Sequence, residues 1–206
     1  MAFEVWLGFL AASVAVLAVP GPTVLLIVAY AVSQGRTVAL AIAAGVALGD
    51  LVAMTASLAG VGALLMASAT LFTVLKWIGA AYLLWLGITL WRAGAARVEE
   101  ETPAAVPAAT VFRRAFWVTA LNPKSIAFFL AFVPQFIDPG SAYAPQAGIL
   151  VASFVALAAL NALGYAALAE RAGRRIRRPS VRRWINRIGG GVLIAMAAAT
   201  AAMRRA

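Results

Sequence analysis

The sequence predicts an all-α integral membrane protein in which six transmembrane helices form two inverted three-helix repeats. The prediction rests on the composition, on six long apolar segments and on helix-breaking residues at corresponding places in the two halves. Of the 206 residues, 64% are hydrophobic and 12% are charged, whereas soluble domains have about 45–50% apolar and about 25% charged residues. A soluble chain of this size must still present a polar surface to water, so lipid is expected to solvate part of this one.

Six apolar segments are long enough to cross a bilayer, since a transmembrane helix needs about 20 predominantly apolar residues. They cover residues 5–32, 38–66, 71–91, 112–136, 147–169 and 184–203. Helices are expected because a backbone in lipid must satisfy its own hydrogen bonds. The first segment is interpreted as a retained helix, because Glu4 stands where a signal peptide has basic residues and the segment is too long for a signal-peptide core.

One membrane domain is expected over residues 1–206, with repeat one at 1–93, a linker at 94–111 and repeat two at 112–206. The basic residues predict its orientation. Those of the first, third and fifth loops are Arg36, Arg92, Arg97, Arg113, Arg114 and the eight arginines from Arg171 to Arg187. The positive-inside rule places these loops, the linker included, in the cytoplasm and both termini outside, although Arg204 and Arg205 then lie on the outer side.

The cluster from Arg171 to Arg187 could in principle bind nucleic acid. No aromatic-rich nucleic-acid module accompanies it, and cytoplasmic loops are generally enriched in arginine. We interpret it as a topology anchor that also contacts anionic lipid, where each cation contributes about 1 kcal/mol. No nucleic-acid partner is therefore expected.

The two halves of the sequence correspond to each other. Residues 76–81 align with residues 186–191, and at nearly the same offset Asp50 falls opposite Asn161. Because each half has three segments, the second half enters the membrane from the opposite side. Secondary transporters commonly have such inverted repeats, with binding sites near the midplane at the repeat interface.

Helix breakers lie near the middle of the first segment, as Pro20, Gly21 and Pro22, and of the fourth, as Asn122 and Pro123. Proline inside a helix removes a backbone hydrogen bond and costs about 3 kcal/mol or more. The freed carbonyls then need a neighbouring helix, water or a cation. A simple kink is the alternative for one such motif, but two at corresponding places favour a pair of broken helices that line a cavity.

Two charged residues are predicted near mid-membrane. Asp50 and Lys124 lie about 18 Å and about 16 Å along their helices, at 1.5 Å per residue. An ionised group costs roughly 2.5–3.5 kcal/mol at that depth, so neither is expected to face lipid. They could form a structural ion pair, or bind a zwitterionic substrate or carry a proton; we favour the second interpretation because ionisable residues at that depth mark substrate and proton pathways.

Other polar and small residues extend this candidate pathway. Lys76 lies within two turns of the outer end of its helix, so it either extends to the interface or lines the pathway. Asn122 and Asn161 could hydrogen-bond across helices or to substrate. Gly45 and Gly49 form a GxxxG motif that lets another helix approach beside Asp50.

Residue types that are absent exclude several functions. The chain has no cysteine and no histidine, so disulfides, thiol redox catalysis and the usual soft-metal sites are not expected. It also has no GxxxxGK[ST] phosphate loop. We therefore expect no enzyme activity, no cofactor and no metal site; export of a metal cation or another small solute, and a non-transporting membrane scaffold, are the alternatives.

An ordered set of motifs resembles the lysine-exporter (LysE) superfamily, and within it the homoserine/threonine-resistance (RhtB) branch of amino-acid exporters. The matching features are Pro20-Gly21-Pro22, the Gly45/Gly49/Asp50 segment, residues 76–83 with Leu86-Gly87, and residues 122–125 followed by Phe128-Phe129 and residues 132–136. The resemblance implies export of amino acids or close derivatives across the bacterial inner membrane, driven by the proton gradient or membrane potential.

The resemblance and the two charges lead to one hypothesis for the mechanism, which is alternating access. Lys124 is the candidate partner of a substrate carboxylate, and Asp50 is the candidate partner of its ammonium group or the proton carrier. The resemblance is shared by exporters of different amino acids, and it is compatible with a monomer or a homo-oligomer.

Overall fold

The computed structural model describes residues 1–92, 106–176 and 179–202, and within these ranges the chain is helical, with no β-strand. The α-helices are α1 (Phe3–Ala18), α2 (Pro22–Gln34), α3 (Ala39–Ala67), α4 (Ala69–Arg92), α5 (Ala108–Ala120), α6 (Pro123–Ala127), α7 (Tyr143–Ile176) and α8 (Pro179–Ala202). A 3₁₀ turn, Gly35–Val38, joins α2 to α3. After α6 the chain continues through a π-helical turn, Phe128–Phe132, and a 3₁₀ turn, Val133–Phe136.

Several of these helices are long and apolar enough to cross a membrane. In the described residues they are Ala39–Ala63, Thr73–Arg92, Ala108–Phe136 and Tyr143–Ala169. The pair α1 and α2 adds a fifth if it is counted as one span, bent by 59° at its break. Helix α8 is not among them. The described residues therefore contain four or five candidate spans, and six spans in inverted repeats stay a prediction.

The first helix break lies at the predicted proline pair. Helix α1 ends at Ala18, and Val19 is extended with φ −70° and ψ 120°. Gly21 is also extended, and Pro22 is the first residue of α2. Proline is well suited to that position, because a first-turn N–H has no intrahelical acceptor.

The second break lies at Asn122 and Pro123, between α5 and α6. Asn122 is extended, with φ −69° and ψ 110°, and Pro123 again occupies the first turn of the next helix. The Asn122 side chain caps α6 by accepting a hydrogen bond from the Lys124 N–H at 3.1 Å. Both predicted breakers thus interrupt their helices, and a new helix begins directly after each break.

Close helix contacts at glycines bring the two halves together. An added Cβ at Gly45 of α3 would lie 2.5 Å from the Phe112 carbonyl oxygen of α5, and one at Gly49 would lie 2.8 Å from that of Phe116. Helix α3 also packs against α7, and α4 packs against α8. Asp50 directly follows Gly49, so the close approach of α3 to α5 holds Asp50 beside the second break.

Candidate functional site

The candidate site begins at the carbonyl end of α1. The last four carbonyls of a helix have no intrahelical partner. The Lys124 ammonium group, from the first turn of α6, donates to the Val16 carbonyl oxygen at 3.0 Å and to that of Val19 at 2.7 Å. The side chain crosses close to Gly21, where an added Cβ would lie 3.5 Å from Nζ. A residue at the second break therefore caps the helix that ends at the first break.

Helix α7 caps the two remaining carbonyls at the end of α1. The Asn161 side-chain amide donates to the Leu17 carbonyl at 3.4 Å, and the Tyr165 hydroxyl donates to the Ala18 carbonyl at 2.9 Å. With Lys124, these side chains give all four carbonyls a partner from the second half of the chain, and the Val16 carbonyl also accepts the Val19 N–H at 3.2 Å.

Asp50 is the buried acid of the site. Its residue is 2% exposed, and its Oδ1 atom has no hydrogen-bond partner among the described residues. Lys124, which is 7% exposed, lines the same cavity. The hydrogen bonds of its ammonium group run to the carbonyls of Val16 and Val19 rather than to Asp50 Oδ1.

The shared cavity has a volume of about 20 Å³, which is room for about one water molecule. Its lining residues are Leu17, Thr23, Val24, Ile27, Val46, Asp50, Thr119, Asn122, Lys124, Ser125, Ala158 and Asn161. The cavity thus combines an apolar wall with hydroxyl and amide groups and one side chain of each charge. A zwitterion could be recognised here, but the cavity must first widen to admit one.

Asn122 links the two breaks directly. While its side-chain oxygen caps α6, its side-chain amide group donates to the Thr23 hydroxyl at 3.2 Å. The Thr23 hydroxyl in turn lies 3.3 Å from the hydroxyl of Thr119. Further along the same pair of helices, the Arg114 guanidinium group donates to the Tyr30 hydroxyl at 2.6 Å. A row of polar contacts therefore joins α2 to α5.

Most of the sequence-predicted residues meet at this site. The structure places Pro20, Gly21, Pro22 and Pro123 at the breaks, Asp50, Asn122, Lys124 and Asn161 on the cavity, and Gly45 and Gly49 against α5. Lys76 is elsewhere: it is not among the described residues that line the cavity, and its Nζ atom lies 5.9 Å from the ring centre of Trp77.

Sequence reasoning missed four polar residues of the site. Thr23, Thr119 and Ser125 line the cavity, and Tyr165 caps α1. The available signal was their spacing: Tyr165 lies one helical turn after Asn161, and Thr23 directly follows the first break.

Several predicted features lie outside the described residues. These are linker residues 93–105, with Arg97, and the arginines at positions 177, 178, 204 and 205. Of the side chains between Arg171 and Arg187 that carry the predicted lipid contact, only Arg183 and Arg187 are described, and both are exposed. In the described ranges no group of three or more His, Cys, Asp or Glu residues could hold a metal ion.

Broken apolar helices around a small polar cavity define a helical membrane protein that spans the bilayer several times. The sequence profile of the LysE type translocator family matches residues 14–204, and the chain belongs to that family.

Named relatives match over much or all of the chain. An uncharacterized membrane protein of Vibrio cholerae is 37% identical over 94% of this chain and 95% of its own. A homoserine/homoserine lactone efflux protein of Salmonella typhi is 34% identical over the full length of both chains. A leucine efflux protein of Klebsiella pneumoniae is 31% identical over 67% of this chain and 68% of its own. No solved structure matches the chain.

Proposed function

We propose that this protein is a secondary transporter that exports amino acids or close derivatives, of the homoserine or threonine type, across the bacterial inner membrane. The observation that carries the proposal is the pair Asp50 and Lys124, both buried and facing one cavity between two helix breaks. Buried charges in a membrane protein mark substrate or proton pathways. Relatives named as homoserine/homoserine lactone and leucine efflux proteins support the amino-acid class.

The charges suit a zwitterion with a small side chain. Lys124 binds the substrate carboxylate, and Asp50 binds the ammonium group or carries the coupled proton. Asn122, which caps α6, and Asn161, on α7, supply neutral hydrogen-bonding groups to the cavity. Pro20, Gly21, Pro22 and Pro123 keep the helices open around this pathway. Lys76, half-buried on α4, belongs either to the outer part of the pathway or to the interface.

Alternating access would follow from an inverted repeat. The first repeat contains the broken pair α1 and α2 followed by α3 and α4, and the second contains α5 and α6 followed by α7 and α8. The helices that correspond between repeats pack together, α3 with α7 and α4 with α8. This exchange-symmetric packing supports six spans around a pseudo-two-fold axis. The arginine distribution supports an orientation with the first, third and fifth loops cytoplasmic and both termini outside.

The test is efflux from vesicles that contain the purified protein. They are preloaded with one of the twenty amino acids or homoserine, and the outside is then made more acidic than the inside, so that the proton gradient is directed inward. We expect homoserine or a similar neutral amino acid to leave faster than from protein-free vesicles, and the pH gradient to accelerate it. Absence of efflux for the whole panel at any gradient would point to a membrane scaffold instead.

Charge removal at the site tests the roles of its residues. The double variant Asp50→Asn, Lys124→Met should lose proton-driven efflux, because it keeps the shape of the cavity but removes both charges. The matched control is Glu4→Gln, Arg113→Met, which removes one exposed acid and one exposed base and should transport normally. Normal proton-driven efflux by the Asp50/Lys124 variant, with normal membrane insertion, would contradict the proposed mechanism.

A further inference from the structure

Two backbone carbonyls at the end of α1 converge on one cation. The oxygens of Val16 and Val19 lie 3.0 Å and 2.7 Å from Lys124 Nζ. Carbonyls at a helix C-terminus carry a partial negative charge, and the carbonyl ends of broken helices coordinate cations in transporters. Here the cation is the end of a flexible side chain from the other half of the protein.

A second, independent feature points to cation binding at the same place. Asp50 is 2% exposed and its Oδ1 atom lacks a hydrogen-bond partner among the described residues. It shares with Lys124 the cavity of about 20 Å³, whose single-water volume also suits one small ammonium group. Lys124 connects the two features, because its ammonium group bonds the two carbonyls while its residue lines the cavity that Asp50 also lines.

We propose that the Val16 and Val19 carbonyls, with Asp50, form a binding site for a free primary ammonium group, and that Lys124 is a tethered occupant which such a ligand displaces. A primary ammonium group has three N–H donors, which match two carbonyls and one carboxylate oxygen. A quaternary ammonium group has none. Use of this site by a transported amino acid rests on the proposed function, whereas affinity for a small ammonium ion does not.

Thermal unfolding of purified Lys124→Ala in detergent tests the site without transport. Methylammonium chloride is the probe, and tetramethylammonium chloride at equal ionic strength is the comparison. We expect methylammonium to raise the unfolding midpoint of the variant saturably, and tetramethylammonium to leave it unchanged. In the wild type the tethered Lys124 competes at an effective concentration of about millimolar, so the apparent Kd for methylammonium should rise by a factor of one plus that concentration divided by the Kd of the variant, which is about tenfold for a variant Kd of about 0.1 mM.

The matched control is Lys76→Ala, which removes a lysine that does not line the cavity and should respond to both salts as the wild type does. Equal responses of Lys124→Ala to both salts, or no response to either, would overturn the proposal. A Lys124→Ala protein that stays unfolded at saturating methylammonium counts against it in the same way.

A second variant examines the tether itself. Because the chain has no cysteine, Lys124→Cys can be alkylated at that position alone. Treatment with 2-bromoethylamine creates a side chain of the same length as lysine with a primary ammonium end, and (2-bromoethyl)trimethylammonium creates a quaternary one. Only the first product should regain the wild-type unfolding midpoint; recovery with both, or with neither, contradicts the proposal. If methylammonium binds but no amino acid is exported by the wild type, the proposed function fails and the site stands.

Discussion

At the scale of single residues, the site pairs a buried ammonium group with buried backbone carbonyls that would otherwise lack partners. A buried carbonyl without a partner and a buried ammonium group without a partner each cost free energy. The Lys124 ammonium group and the carbonyls of Val16 and Val19 satisfy each other. The sequence predicted that the freed carbonyls and the Lys124 charge each need a partner. It did not predict that they satisfy each other, because spacing along the chain does not tell how close α6 comes to the end of α1.

Tyr165 shows the same principle with a neutral donor. Its hydroxyl donates to the Ala18 carbonyl at 2.9 Å, so Tyr165→Phe leaves that carbonyl without its side-chain partner. We expect the free energy of unfolding to fall by about 0.5–1.5 kcal/mol, measured by thermal or chemical unfolding in detergent.

The control for Tyr165→Phe is Tyr82→Phe on α4, where the ring packs against Trp85 and the hydroxyl makes no hydrogen bond to another described residue. This variant should unfold as the wild type does. Equal losses of stability in Tyr165→Phe and Tyr82→Phe would show that the bond to Ala18 does not stabilise the end of α1.

At the scale of helices, glycine determines how closely α3 approaches α5. An added Cβ at Gly45 would lie 2.5 Å from the Phe112 carbonyl oxygen, whereas one at Gly60, on the same helix, meets nothing within 4 Å. Gly45→Ala should therefore separate α3 from α5 and lower the unfolding midpoint, because the contact at Gly45 is with backbone that cannot rotate away.

Gly60→Ala is the matched substitution, since it makes the same chemical change on the same helix. It should leave stability unchanged or raise it by up to about 1 kcal/mol, through the better helix propensity of alanine. The two unfolding curves, together with export by each variant, check the prediction. If Gly45→Ala is as stable as Gly60→Ala, the close contact between α3 and α5 is not required.

Much of the helical architecture could be predicted from the sequence, because apolar runs and proline positions act locally. Residues 38–66 correspond to α3, Ala39–Ala67, and residues 71–91 correspond to α4, Ala69–Arg92. The segment 147–169 was too short: α7 covers Tyr143–Ile176. Hydropathy marks only the apolar part of a helix, so a helix that continues into polar sequence is underestimated.

The contents of the site were harder to predict for a physical reason. Asp50 and Lys124 could be recognised because a charge in an apolar segment is rare. Thr23 and Tyr165 were missed despite their spacing, because threonine and tyrosine are common in membrane helices and gain a role only through a partner on another helix. Their partners, Asn122 and Ala18, are set by the packing of the two halves.

At the scale of the whole molecule, the open issue is whether α8 crosses the membrane, since an inverted repeat requires three spans in each half. Helix α8 has 24 residues, which at 1.5 Å per residue gives about 36 Å, enough for a hydrocarbon core of about 30 Å. Its exposed charges, Arg183 and Arg187, are in its first turns, where long side chains can extend to the interface. We therefore expect α8 to span the bilayer.

Single cysteines at the two ends of the chain test this topology, because the natural chain contains none. With six spans, Ala2→Cys and Ala202→Cys should both react with a membrane-impermeant thiol reagent applied outside intact cells. Arg113→Cys, at the expected cytoplasmic end of α5, should react only after permeabilisation. An odd number of spans puts the two ends on opposite sides, so that only one of them reacts before permeabilisation. In that case the two halves could not be inverted copies of each other, and alternating access would have to arise from the two broken helices without a symmetric partner for α4.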